Sequence, residues 1–277
     1  MPLLKTILLI CFFASSNFLL AQTDSIVIKM SDKTIEEDVD STTYFFENGE
    51  KVTDPSKIIL ITKANKTINL AAFLKNEDVT NPDHVLSDLD NDGKKELLIS
   101  NYTGGAHCCD EIYVFKNIGV NKYQQAAKLF AGNTIITNDK LFVYNFYQQF
   151  GYFFTCFACA LDDSSDTAPV EMQNIKLKYR KGKLALVQGT TQMRSAINDN
   201  LGKLSELPYE KLDQDLAQDN GLRKEFAMNL AVFYYSFGKN LAETQKLFNK
   251  YYKFPDTKKV WAAFVKEIGY ISSESNL

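Results

Sequence analysis

Histidine is nearly missing from this chain of 277 residues: His84 and His107 are the only two. A histidine beside a cysteine, as at His107, reads first as a packed or hydrogen-bonded structural residue. The signatures Gly-x-Ser-x-Gly and His-Glu-x-x-His and the phosphate-binding loop are also missing, so no catalytic residue is nominated. Basic excess is missing too. Lys and Arg number 31 against 34 Asp and Glu, a net charge of -3, which leaves no positive field to hold nucleic acid. Beyond residue 21 no apolar run approaches the ~20 residues that a membrane-spanning helix needs. No βαβ pattern surrounds Cys156-Phe-Ala-Cys159, which weakens a thioredoxin-like reading. The helix starts in the C-terminal part lie too close together for a 34-residue repeat array.

The amino terminus carries the clearest positive signal. Lys5 is followed by an uncharged apolar run over residues 7–21, and Ala21 precedes Gln22 as a small residue at a cleavage position. That is the layout of a secretory signal peptide. The run is about 15 residues long, short for a membrane anchor. Cys11 lies inside it and is removed with it. We therefore expect a secreted or periplasmic protein with no transmembrane segment after signal removal. About 256 residues remain, enough for one large or two smaller cores.

Aromatic residues make up 13% of the chain, with 14 Tyr and 20 Phe, which favours a packed β-rich fold. Short β-branched or aromatic runs predict strands at 25–30, 42–46, 57–62, 66–70, 95–100, 111–115, 140–146, 152–156, 175–179 and 183–187. The last two flank Arg180-Lys-Gly182, a hairpin signal. After about residue 195 the period changes. Leu222, Phe226, Leu230, Phe233 and Phe237 form one helical face ended by Gly238. Asn240 with Glu243 predicts a capping box. Asp256 is expected to cap a last helix, and a weaker helix is expected near Pro208. The fold class is α+β: mainly antiparallel β, a sandwich or partial propeller-like sheet, followed by a C-terminal helical bundle. The division is a signal peptide at 1–21, a β-rich domain at 22–194 and a helical region at 195–277.

The most informative stretch is Asp88-Leu-Asp-Asn-Asp-Gly-Lys-Lys-Glu96. Carboxylates recur at Asp88, Asp90 and Asp92, and Gly93 permits a sharp turn that lets them converge. Ca²⁺ takes six to eight hard oxygens. The backbone carbonyl of Lys94 and the carboxylate of Glu96 are the next expected ligands. The loop departs from the EF-hand, because its twelfth position is Ile99 and a strand rather than a helix follows. An acidic solvated turn without an ion is the alternative.

Together with Ile112-Tyr-Val-Phe-Lys-Asn-Ile-Gly119 and Asn121-Lys-Tyr123, this loop resembles a single FG-GAP/VCBS-type repeat. In that family the acidic loop binds Ca²⁺ and leads into a strand. Gly104-Gly-Ala-His-Cys-Cys109 resembles a signature of exported single-copy bacterial proteins of this kind. The resemblance covers about 36 residues, and it implies calcium binding but no reaction.

Four cysteines remain after the leader: Cys108, Cys109, Cys156 and Cys159. In an oxidising compartment an even count reads first as disulfides. Of the three pairings, the favoured one joins 108 and 109 across to 156 and 159, because a direct bond between neighbours strains their peptide. Each such link closes a loop of roughly 48 residues, contributing about 4 kcal/mol in the chain-entropy model. Zinc held by the thiolates with His107, and redox chemistry at Cys156 and Cys159, are the alternatives. The leading functional expectation is an exported calcium-binding structural or binding module with a protein or glycan partner. The alternatives are an exported hydrolase with a structural Ca²⁺ and an exported thiol-redox protein.

Overall fold

The structure, a computed structural model, describes residues 27–29, 59–61, 67–69, 82–102, 110–119, 122–132, 134–159, 161, 172–209, 211–212 and 219–277. The expected signal peptide at 1–21, the run at 42–46 and the Gly104–Cys109 stretch, with His107, Cys108 and Cys109, lie outside these residues.

Every strand pairing among the described residues is antiparallel. The short strands β1 (Val27–Lys29), β2 (Ile59–Ile61) and β3 (Thr67–Asn69) form one sheet in that order. A second sheet runs β4 (Pro82–Ser87), β5 (Glu96–Tyr102), β6 (Asp110–Gly119) and β7 (Lys122–Phe130). A third comprises β8 (Ile135–Ile136), β9 (Leu141–Asn145), β10 (Asn174–Arg180) and β11 (Lys183–Leu186). Helix α1 (Tyr147–Phe150) follows β9. The C-terminal helices are α2 (Thr191–Glu206), α3 (Leu222–Ser236), α4 (Leu241–Tyr251) and α5 (Thr257–Glu274). The fold is thus α+β, with antiparallel sheets and helices gathered at the C-terminus.

Strand pleating explains the buried set. Successive side chains of β6 leave on opposite faces. Ile112 and Val114 join the main core, with Leu98, Ala127 and Leu129. Tyr113 and Phe115 are buried on the other face, opposite Ile99 and Leu97. The third sheet sends Phe142, Tyr144, Ile175, Leu177 and Tyr179 into the same main core, and the helices add Leu201, Phe226, Phe248 and Phe264. Helix α3 lies at its centre, and every residue of it except Tyr234 is buried. Tyr235 stacks on Phe146 at 5.4 Å between ring centroids.

Several local expectations differ from what is found. Residues 152–156 are turns rather than a strand. Phe154 sits at φ 57°, a left-handed backbone that cannot continue a pleat. Pro208 and its described neighbours 209, 211 and 212 belong to no helix, and residues 210 and 213–218 of the expected stretch lie outside the described residues. Helix α2 lies earlier instead: Thr190 caps it by accepting the Met193 N–H, and Ile197, Leu201 and Leu204 form its buried stripe. Asn240 does cap α4, accepting the Glu243 N–H at 3.0 Å, but the Glu243 carboxylate pairs with Arg194 on α2 at 2.8 Å. Asp256 sits at the N-cap of α5 without any side-chain cap bond.

Candidate functional site

Ser87 and Glu96 are the last paired residues of the β4–β5 hairpin, so residues 88–95 form its connecting loop. Leu89 anchors that loop in the core at 1% exposure. Asn91 and Gly93 adopt φ of 60° and 84°, which tighten the turn. A side chain at Gly93 would meet nothing within 4 Å, so glycine is needed there for its backbone and not for space. Asp88 folds back to accept the N–H groups of Asp92 and Gly93, each at 3.1 Å. Asp92 accepts the Lys94 N–H at 2.8 Å.

The result brings one carboxylate oxygen each from Asp88, Asp90 and Glu96 within 4.8 Å of one another. Asp92 is not in that group; it is exposed and turned to the Lys94 amide. Glu96 is 2% exposed and accepts the Leu89 N–H at 2.9 Å. Burial, with Asp90 and Asp92 adding to it, holds its carboxyl above the usual range, against the lowering effect of the Leu89 bond. At such separations each carboxylate pair repels by about 3 kcal/mol at an effective dielectric of 20, more than one neutral hydrogen bond returns.

The rest of the site comes from the third sheet. Lys140, in the β8–β9 turn, donates its ammonium to the Asp88 carbonyl and, at 2.6 Å, to Asn91 Oδ1. Lys181, in the β10–β11 turn, donates its backbone N–H to Asp90 Oδ2 at 3.1 Å. The other oxygen, Asp90 Oδ1, is buried with no hydrogen-bond partner, and so is the hydroxyl of Tyr179 at the end of β10. Burial raises the Tyr179 phenol well above its ordinary range, and Glu96, Asp90 and Asp92 push in the same direction. Of these contributors the sequence pointed only to the loop. Lys140, Tyr179 and Lys181 carry no local motif, and tertiary folding alone delivers them.

The oxygen donors and the orphaned Asp90 Oδ1 fit a hard cation such as Ca²⁺. The Lys140 ammonium already adds positive charge beside the loop, at the Asp88 carbonyl and Asn91 Oδ1.

The cysteine expectation is corrected. Cys156 is bonded to Cys159, with Cα atoms 5.0 Å apart, so neither reaches across to Cys108 or Cys109. The tight turn accounts for this: the Cys159 N–H donates to the Cys156 carbonyl at 3.1 Å, bringing the two ends together. Lys224 donates to the carbonyls of Phe157 and Cys159, and the Tyr147 hydroxyl donates to Phe157 O at 2.9 Å. A paired-carboxylate centre of the hydrolase type is not formed by Asp110 and Glu111. They are neighbours on β6 and leave on opposite faces. Glu111 is taken up by Asn101, Tyr113 and Lys128, at 3.0, 2.8 and 3.0 Å.

Among the described residues no helix is long and apolar enough to cross a membrane. Compared with known proteins, the chain matches no family model, no curated protein and no solved structure.

Proposed function

We propose that this protein is an exported calcium-binding structural or binding module of the cell envelope or exterior, with a protein or glycan as its partner. The ion would be held by the carboxylates of Asp88, Asp90 and Glu96, with Asp92 and the Lys94 carbonyl as the further oxygens of the loop. The observations that carry this reading are the approach of one oxygen each from Asp88, Asp90 and Glu96 to within 4.8 Å of one another and the buried, partnerless Oδ1 of Asp90. The resemblance of residues 88–123 to an FG-GAP/VCBS-type repeat supports it, and the leader-like residues 1–21 support export. A bound divalent ion supplies charge and no redox chemistry. It would offset the repulsion that Glu96 meets from its neighbours and fix the β4–β5 hairpin. Calorimetric titration of the purified chain with Ca²⁺ tests it. One equivalent of saturable binding, lost in Asp90→Ala, is expected. No binding heat and an unchanged melting temperature in Ca²⁺ would remove the reading.

A second reading, thiol exchange, is favoured by the local Cys156–Cys159 pair. Its turn is held by Lys224 and Tyr147 as well as by the sulfurs, so the two thiols would stay close when reduced. An external dithiol would attack one sulfur, pass its two electrons and two protons to the pair, and leave as a disulfide. Reversible equilibration with a glutathione buffer, without loss of the fold, is the expected behaviour. Reduction only on unfolding would exclude it.

A further inference from the structure

The acidic loop belongs to the β4–β7 sheet, yet two turns of the β8–β11 sheet touch it, through the Lys140 ammonium and the Lys181 N–H. Two residues before Lys181, Tyr179 is wholly buried, and its hydroxyl has no hydrogen-bond partner. A buried hydroxyl without a partner costs about 1–3 kcal/mol. Phenylalanine would fill nearly the same volume without that cost. A state in which the oxygen donates a hydrogen bond would remove that cost.

Asp90 frames that state. One of its oxygens takes the Lys181 N–H from the β10–β11 turn. Its other oxygen is buried without a partner. Glu96, more deeply buried, belongs to the same cluster. We propose that the third sheet completes the cation site, with Tyr179 as a positioning residue whose hydroxyl donates to the carboxylate shell, or to the bound water, of a cation held by Asp88, Asp90 and Glu96. This rests on the calcium reading above and adds to it a residue contributed to the site by the third sheet. A cation there engages a carboxylate already committed to the β10–β11 turn. Occupancy of the loop is thereby felt by both sheets.

The test is Tyr179→Phe in the full mature chain, with two probes. Ca²⁺ affinity is measured by titration. Terbium(III), a calcium-sized ion that emits when a nearby tyrosine absorbs, reports directly on the phenol. In the variant, Ca²⁺ affinity is expected to fall about 10–100-fold, the weight of one hydrogen bond to a charged site. Tyrosine-sensitised terbium emission is expected to drop several-fold. Melting in chelator is expected to be unchanged or higher, since the orphaned hydroxyl is gone. A purely structural tyrosine would give the opposite: lower melting in chelator, with ion affinity and emission unaltered, and that outcome overturns the proposal while leaving the calcium site standing. If the unmutated chain binds neither ion, the calcium reading itself has failed. Asp90→Asn, which removes the charge and keeps the shape, serves as the binding-null reference.

Discussion

Arg223 and Asp256 are joined doubly: Nε and Nη2 of the arginine each lie 2.7 Å from the same Asp256 oxygen. Arg223 is wholly buried in α3 and also holds Asp219 at 2.6 Å. The other oxygen of Asp256 accepts the Tyr252 hydroxyl at 2.8 Å. This is why Asp256 does not cap α5. Its carboxylate is spent on a buried cation, which returns more than an exposed amide at a helix end. One guanidinium thus ties the entry of α3 to the entry of α5.

Removing that cation strands two carboxylates in the interior. Arg223→Met is expected to lower unfolding free energy by about 3–5 kcal/mol, read from urea titration, with Ca²⁺ affinity per folded molecule unchanged. A loss under about 1 kcal/mol would place the cluster with surface pairs, which contribute little.

Calcium is expected to stabilise the chain by mass action, by about 2.7 kcal/mol at a concentration 100-fold above Kd. Asp90→Ala should cancel that gain. In chelator its change should stay within about 1 kcal/mol, because the lost Lys181 contact and the relieved carboxylate repulsion act in opposite directions. Melting curves of both proteins with and without Ca²⁺ decide it. A variant that keeps the full calcium shift would move the ion elsewhere.

Closing only the turn from Cys156 to Cys159, the disulfide should contribute about 2 kcal/mol in the chain-entropy model, half of what a long cross-link would. The double variant Cys156→Ser with Cys159→Ser should show that modest loss. Non-reducing peptide mapping should recover the two cysteines on one internally bonded peptide; a bond from either to Cys108 or Cys109 would contradict the structure.

Glu267 on α5 is held above the usual carboxyl range by burial, against the lowering effect of Lys266. A raised folded value means the folded state binds the proton more tightly than the unfolded one. The group therefore costs stability as pH rises from about 4.5 through its folded value. Glu267→Gln is expected to raise the melting temperature at pH 7 and to match the parent at pH 4. A variant no more stable at pH 7 would refute this.

How much of this was readable beforehand followed distance along the chain. The loop at 88–96 was readable because its donors and its glycine lie within nine positions. The face Leu222, Phe226, Leu230, Phe233 announced α3 by spacing alone. Helix α2 went unread because its stripe of Ile197, Leu201 and Leu204 is diluted by Asn198, Asp199, Asn200 and Lys203. The run at 152–156 looked like a strand from its aromatics, yet those rings serve a turn. Lys140 lies 49 residues from Asn91, and Lys181 lies 91 from Asp90. No local pattern signals such contacts, and they are what bring the third sheet onto the acidic hairpin.

Helix α3 has almost no wet side, and this sets an order of events during synthesis. The rings of Phe142, Tyr144 and Phe146 emerge from the ribosome some 80 residues before the helix that covers them. Until residue 236 has followed, the strands can pair but have nothing to close upon. A nascent or truncated chain ending before that point presents a broad oily surface and invites aggregation or a holding chaperone. Folding is accordingly a late event that waits on the C-terminal half of the chain.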